Sequence, residues 1–454
     1  MLNNKMERVI LLALDGLSWN IIEELISKQH LDNFKEIIKN GSYGILKAED
    51  FLSSPKIFCS IFTGKKASKH GIRDFYSKEE DLTSKQIWDI LHNRGYHIGV
   101  YRPLSIWSAK KFKGFCVPSP LLLEKESFPK NLNFISELDK AARSEKYSIS
   151  FLLKFFWKLF RFHFPLKEFI KIIKRSVSLY FANGLEERMH LLKEIELIIH
   201  TNVYLILLRR FKLDFSVFFD YSFDTLGHIY WRDKDERDKF SKVLPNAYIL
   251  IDKFIGKVRD YATEYGYHLI ICSDHGFERK QKNYKEDYRT INVLNLLREL
   301  KLYYDVYGIY MTGSVVFRSR PNSTIPLKIF KQSIESITCN GKKLFNIKPY
   351  ENKLIVKIND FFGENRDFEA NLPNGKKVKL ESIIDFNPGH TGVHSDKFGV
   401  FLMKGPNIKK HNNIDIITPY DITPTILSLM GETVPQDLDG RILEEIFIKK
   451  SISS

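Results

Sequence analysis

The chain has 454 residues, 43% of them hydrophobic and 28% charged, and its 70 Lys and Arg against 55 Asp and Glu give a formal net charge of +15. That composition supports a sizeable core and excludes a disordered chain, and the length fits one large α/β domain with insertions or a few smaller ones. No uninterrupted apolar run reaches the roughly 18 residues of a membrane-spanning helix.

Cys59, Cys116, Cys272 and Cys339 lie far apart with no CxxC pair, so they read as buried thiols rather than a disulfide framework or a zinc knuckle. Met1 to Arg8 runs directly into an apolar stretch, which leaves no room for a signal peptide. A cytoplasmic protein is the expectation. The positive charge alone does not separate an anionic substrate, an anionic membrane surface, a nucleic acid or a merely Lys-rich surface.

In chain order, Val9-Ile10-Leu11-Leu12-Ala13-Leu14 is a continuous apolar run that stops on Asp15-Gly16, the pattern of a strand buried on both faces. Leu17 to Gln29 and Leu31 to Asn40 read as helices, the second closed by Gly41. Ser53-Ser54-Pro55 opens an apolar helical stretch ending at Thr63-Gly64, a hydroxyl and a proline at a helix start. Lys85 to Arg94 is a predicted helix and Tyr96 to Tyr101 a strand, so the pattern to this point is β-α-β.

From Pro103 to Leu213 the alternation lapses into helices. Phe151 to Arg175 places Lys154, Lys158 and Arg161, then Lys167, Lys171 and Lys174, at helical spacing among aromatic and aliphatic residues, with Pro165 dividing two helices. Such a pair is either a cap packed on the main domain or an interfacial element on anionic lipid. The sheet resumes at Phe215 to Phe219, a long helix runs from Asp233 to Ala262, and Leu269 to Cys272 is a second buried strand ending on Ser273-Asp274-His275-Gly276. Residues 277–387 read as a small α/β insertion, with a helix at Ile291 to Leu300 and strands at Ser314 to Phe317 and Leu354 to Ile358. Gly399 to Met403 and the helix Thr418 to Met430 close the main domain.

Asp15, Asp224, His228, Asp274, His275 and His394 each follow or border a predicted core strand, and Ser54 supplies a hydroxyl. In sheets of this kind ligands collect at the carboxyl ends of the strands. Three carboxylates and three imidazoles suit two borderline divalent cations with open positions. Taken singly, Asp15 reads equally as a strand-end turn and Ser54 as a helix cap, with Ser53 a competing nucleophile; His390 competes with His394.

These residues resemble the alkaline phosphatase superfamily, most of all its type I phosphodiesterase and nucleotide pyrophosphatase branch. The likeness rests on Asp15, Ser54 with Thr63-Gly64 and His70-Gly71-Ile72, Asp224 with Gly227-His228, Ser273-Asp274-His275-Gly276, and His394. Gly405-Pro406, Asp421-Ile422-Thr423-Pro424 and Asp439-Gly440-Arg441 extend it. It implies a doubly wound, mostly parallel α/β sheet with a catalytic core of residues 1–102, 213–276 and 388–450, a helical insertion at 103–212 and a small α/β cap at 277–387.

The resemblance further implies two divalent ions, zinc or alternatively manganese. Asp224, His228 and His394 would hold one, and Asp15, Asp274 and His275 the other, with Ser54 as nucleophile bridging toward the second. The implied function is a metal-dependent phosphoric ester hydrolase with a covalent phosphoseryl intermediate. Arg73-Asp74-Phe75-Tyr76 departs from the branch, which places an asparagine there, and makes Arg73 a candidate for binding the substrate anion. A phosphomonoesterase, a phosphonate hydrolase and a non-catalytic membrane-surface module are the alternatives. Ser53-Ser54-Pro55-Lys56-Ile57 lacks the arginine of the sulfatase core, which argues against a sulfatase. The expected substrate is a small-molecule or lipid-type phosphoester, with peripheral membrane contact through residues 151–175 and no nucleic-acid partner.

Overall fold

The computed structural model describes residues 7–48, 53–73, 75, 77–119, 126–144, 149–182, 185–231, 240–279, 289–311, 314–320, 323–350, 353–359, 361, 367–386 and 391–448. Asp74, Tyr76, His390 and the expected helix start at Asp233 lie outside them. Two compact units divide the chain: Met1–Ala142, Tyr147–Arg279 and Gly392–Ser454 form one, Arg143–Lys146 and Lys280–Thr391 the other.

The first unit is built on an eight-stranded sheet. Its strands are β1 (Arg8–Leu14), β2 (Ser42–Leu46), β3 (His97–Tyr101), β4 (Lys113–Val117), β5 (Phe215–Asp220), β6 (Tyr267–Cys272), β9 (Val400–Lys404) and β10 (Asn412–Ile417). A separate two-stranded ladder joins β7 (Gly276–Arg279) to β8 (Gly392–Ser395). Across the sheet the order is β10, β2, β9, β6, β1, β5, β3, β4. Every neighbouring pair is parallel except those made by β9, which runs antiparallel to both β6 and β2.

Successive strand residues face opposite sides, and each side has its own helical layer. Ile10, Leu12 and Leu14 pack into one cluster with residues of α1 (Trp19–Ser27), α2 (Asp32–Asn40), α9 (Leu185–Arg210) and α11 (Val243–Tyr265). Val9, Leu11 and Ala13 pack into the other with α3 (Ser54–Thr63), α5 (Ile87–Asn93) and α12 (Ile422–Leu429). This is the expected doubly wound arrangement. Between α3 and α5 lies the short α4 (Ala67–His70), and α6 (Asn133–Ser144), α7 (Ile149–Arg161) and α8 (Leu166–Phe181) precede α9.

Two sheet strands depart from the sequence reading. Lys113–Val117 falls inside the stretch expected to be purely helical, yet pairs in parallel with β3 at the sheet edge. Ser42–Leu46 was expected as neither helix nor strand; both its partners come from residues beyond 400, so no local pattern announces it.

The second unit has its own core around Phe317, Phe330, Ile334 and Val356. One antiparallel sheet orders Phe345–Tyr350, Lys353–Ile358, Ser314–Ser319 and Val306–Met311; another joins four shorter strands between Thr338 and Lys379.

Candidate active site

The register of the central strands sets the site. Leu14 lies opposite Asp220, and Ala13 opposite Cys272, so the residues that follow these strands emerge together at the carboxyl edge. Asp15 N–H donates to the Asp220 carbonyl at 2.8 Å, and Asp224 N–H to the Asp15 carbonyl at 3.0 Å. Gly16 N–H donates to Asp274 Oδ1 at 3.2 Å. Gly16 has φ +76°, and a Cβ there would stand 2.7 Å from the Asp224 Cα, so glycine alone permits this close approach.

Asp224 and His228 lie on α10 (Ser222–Tyr230) at i and i+4, one face of a helix. His394 arrives on β8, whose pairing with β7 sets it opposite Phe277, two residues past His275. Thus a late segment is delivered to the Asp274-His275 corner by backbone pairing.

Two overlapping groups result, Asp224 with His228 and His394, and Asp15 with Asp224 and His275. In the first, His394 Nε2 is 2.9 Å from Asp224 Oδ1 and 2.8 Å from His228 Nε2, and His228 Nε2 is 3.3 Å from Asp224 Oδ1. In the second, His275 Nε2 is 3.5 Å from Asp15 Oδ1, 3.8 Å from Asp224 Oδ1 and 3.4 Å from Asp274 Oδ2. The His275 and His394 rings stack at 3.8 Å and join the groups. Asp224 therefore belongs to both, and the second group as measured takes it where the sequence resemblance implies Asp274; Asp274 stands directly behind.

The donor set fits divalent cations. His275 Nδ1 lies 3.0 Å from the Gly276 carbonyl and His228 Nδ1 3.2 Å from the Gly392 carbonyl. A carbonyl only accepts, so each Nδ1 carries a proton and each Nε2 is the nitrogen turned to the cluster. His275 Nε2 and Asp274 Oδ2 are fully buried and take no hydrogen bond. Ligand atoms about 2.0–2.2 Å from a tetrahedral ion stand about 3.3 Å from one another, close to the spacings here.

The charges reinforce this. Burial, then the Asp274 and Asp224 carboxylates, push the Asp15 carboxyl well above the usual range. Burial lowers His275 to about 4, so its ring is neutral. Burial alone would raise Asp224, but His228 and His394 outweigh it and hold it well below normal; burial would lower His394, and Asp224 raises it instead. No lysine or arginine among the described residues is ion-paired to Asp15, Asp224 or Asp274.

Ser54 is the first residue of α3 and almost fully buried. Its hydroxyl donates to Asp15 Oδ1 at 3.2 Å. The cap position belongs to Ser53, which makes no side-chain capping bond. Arg73 is exposed; its backbone N–H donates to Ser77 Oγ at 3.0 Å, and no contact brings its guanidinium to the cluster.

Residues 9–353 match the type I phosphodiesterase / nucleotide pyrophosphatase family. The chain belongs to that family. It is accordingly an enzyme acting on phosphoester bonds, which closes the alternative of a non-catalytic module. Among solved structures it is similar to murine ectonucleotide pyrophosphatase / phosphodiesterase 5, at 12% identity and a TM-score of 0.44 over 94% of this chain and 96% of that one. The same values hold for that murine protein as an inactive variant in complex with AMP. No curated protein matches the sequence significantly.

His394 lies beyond the family's matched residues, and only the β7–β8 ladder places it. Phe277 was not foreseen from sequence. It packs on all three imidazoles, with ring centroids 5.0 Å from His228, 5.5 Å from His275 and 5.3 Å from His394. A Cβ at Gly227 would meet its ring at 2.8 Å. Ser18 Oγ accepts the Phe277 N–H at 2.9 Å, and Ser273 Oγ donates to the Leu17 carbonyl at 2.7 Å, bracing the loops behind the phosphodiesterase cluster.

A second buried polar cluster lies beside it. Arg102 follows β3 with φ +63° and forks onto Asp139, its Nε 3.2 Å from Oδ2; Nη1 is 4.0 Å from Asp220 Oδ2. Tyr101 OH is 2.9 Å from His200 Nδ1. Lys193 Nζ donates to Glu196 at 2.8 Å and lies over the Tyr221 ring at 4.1 Å.

Proposed function

We propose that the chain hydrolyses phosphoric diesters by covalent catalysis at Ser54, with two divalent ions held by Asp224, His228 and His394 and by Asp15, Asp274 and His275. The observation that carries the reading is the Ser54 hydroxyl on Asp15 Oδ1, beside three carboxylates with which no lysine or arginine among the described residues is ion-paired. Bound there, such ions neutralise phosphoryl oxygens and acidify a hydroxyl. Zinc suits this mixed imidazole and carboxylate set, with manganese the alternative.

The chain's own part is positioning. With its hydrogen directed to Asp15 Oδ1, Ser54 Oγ turns a lone pair outward for in-line attack on phosphorus. An Oγ–P bond forms as the bond from phosphorus to the leaving oxygen breaks, the serine proton passing to Asp15 Oδ1 and on to the departing group, which leaves as an alcohol. Water then attacks phosphorus, its oxygen joins the released phosphate monoester and a proton returns to Ser54 Oγ. The positive end of the ten-residue α3 helix faces the same point and favours the phosphoryl anion. Phe277 and the two Nδ1–carbonyl bonds fix the imidazoles beforehand, so no ring has to turn.

The substrate would be a small-molecule or lipid-type phosphoester. A lipid-type substrate requires a route to a bilayer, for which residues 151–175 are the candidate stretch. All four cysteines are free and buried, which supports the cytoplasmic reading.

The test is hydrolysis of bis-p-nitrophenyl phosphate and p-nitrophenyl phosphate with zinc or manganese, with Ser54→Ala as control. The diester is the expected substrate, and Ser54→Ala should lose about 10³-fold or more. Mass spectrometry of acid-quenched enzyme should find one phosphoryl group on the Ser54 peptide. Retained activity in Ser54→Ala, or a phosphoryl group on Ser53, sinks the assignment.

A further inference from the structure

Among the described residues, most of the large apolar side chains left in solvent lie on two consecutive helices. Trp157 is 61% exposed, Phe160 65%, Leu166 71%, Tyr180 82% and Phe181 71%, all on α7 and α8. The pattern follows helix geometry. Leu153, Trp157 and Phe160 fall at i, i+4 and i+7 of α7, and Leu166, Ile170, Ile173 and Val177 at i, i+4, i+7 and i+11 of α8. Each helix therefore has an outward apolar stripe distinct from the side it buries, where Phe155, Leu159 and Ile172 enter the main core.

A basic band borders each stripe. Residues 149–182 hold seven Lys and Arg against one Glu. Lys158 pairs with Glu137, and Lys171 and Arg175 with Glu194, whereas Lys154, Arg161, Lys167 and Lys174 have no ion-pair partner among the described residues. On a 100° wheel these four sit about 70–95° round from the stripe centre, where they reach outward without lying under it. Neither helix is long and apolar enough to cross a bilayer.

We propose that the α7–α8 pair is a membrane-docking face that lies in the headgroup layer of an anionic bilayer, aromatic and aliphatic stripe inward and lysine and arginine band on the lipid phosphates. This goes beyond the hydrolase reading and stands without it. The charge selects the occupant. A second copy of the chain would set the same cationic band against itself in a two-fold interface, whereas an anionic surface is attractive to every one of these residues. Stacked Trp157 and Phe160, with ring centroids 5.9 Å apart, and the Tyr180–Phe181 pair are the amphipathic rings that settle at such an interface.

The face also has a direction. Glu194, which holds Lys171 and Arg175, adjoins Lys193, and Lys193 lies over Tyr221, just before the helix that carries Asp224 and His228. The Val177–Phe181 end of the stripe accordingly shares the sheet's carboxyl edge with the candidate active site. Docking would bring that edge to the headgroups.

Flotation of the full chain with phosphatidylcholine vesicles, with and without about one-third phosphatidylserine, tests the idea. Binding should require the anionic lipid and weaken steeply in about 0.5 M salt. Trp157→Ser with Phe160→Ser should reduce it about tenfold or more. Neutralising Lys154, Arg161, Lys167 and Lys174 to Gln should cost at least about a hundredfold. Both variants should keep the wild-type unfolding midpoint and rate on bis-p-nitrophenyl phosphate. Absence of binding to the anionic vesicles overturns the proposal, as does binding indifferent to the charge variant, or a stable dimer that Trp157→Ser with Phe160→Ser dissolves.

Discussion

Two buried polar clusters sit side by side at the carboxyl edge of the sheet, and they are balanced differently. Around Arg102, the carboxylates of Asp139 and Asp220 share the chain's own Arg102, and Glu196 pairs with Lys193. Around Ser54, the carboxylates of Asp15, Asp224 and Asp274 have no lysine or arginine partner among the described residues and face imidazoles, one of them held neutral by burial. A charge removed from water must be paired within the fold or by something that binds. The first cluster draws its cations from the chain itself, although Arg102 Nη1 and His200 Nε2 take no hydrogen bond; the second has the composition of a receptor for cations.

That contrast can be broken or sharpened by substitution. The largest effect is expected at Asp224, whose Oδ1 both groups share. Asp224→Ala should lower diesterase activity about 10³-fold or more and reduce bound metal, read by elemental analysis, at both positions rather than one. A variant that keeps one full equivalent of metal would argue that the groups are independent. Next comes Asp139→Ala, which strands the Arg102 guanidinium in the core and should cost about 3–5 kcal/mol of stability by urea denaturation.

His70 supplies a third kind of buried group, neutral and satisfied. Ile72 N–H donates to its Nδ1 at 3.1 Å, so Nε2–H donates to Ser60 Oγ at 3.0 Å. Burial first, with Lys56 assisting, lowers it to about 4. Between about 6.5 and 4 the unfolded chain takes up a proton that the folded chain refuses, so stability falls as pH falls, by up to about 3 kcal/mol in all. His275 contributes in the same window, so the check is the difference between wild type and His70→Leu, whose profile should be flatter by His70's share. A profile unchanged by the substitution would refute the assignment.

Asp274→Asn should act in the opposite sense to Asp139→Ala. In chelator it relieves repulsion with Asp15 while an oxygen still accepts the Gly16 N–H, and a gain of about 1–2 kcal/mol is expected together with loss of activity. Destabilisation there would mean that the cluster is already balanced. The smallest effect belongs to the exposed Lys158–Glu137 pair, where Glu137→Gln should change stability by less than about 0.5 kcal/mol.

Much of the site could be read along the chain because buried strands announce themselves and their last residues fall on one edge. Asp15 and Asp274-His275 follow two continuous apolar runs, and Asp224 with His228 needed only helical spacing after a third. Other features depend on distance alone. No sequence rule makes Asp224 common to both groups, or sets Phe277 beneath three imidazoles. Lys113–Val117 escaped because a five-residue edge strand carrying a glycine has little periodicity. Arg73 had the right chemistry for an anion, yet its loop holds it in solvent. The α7–α8 pair was legible as amphipathic, but which apolar residues turn inward is decided by packing, of α7 against α6 and of α8 against α9.

The placing of β2 has a consequence for how the protein is made. Ser42–Leu46 is flanked by β9 and β10, so a strand from the first tenth of the chain acquires its neighbours only when residues 400–417 are present. Until then an apolar backbone edge stays open on the nascent polypeptide, and such late, long-range closure slows folding and invites aggregation. Cellular yield should therefore depend on holdase chaperones, and shortening the chain ahead of Val400 should send it to inclusion bodies although most of the sheet's residues remain.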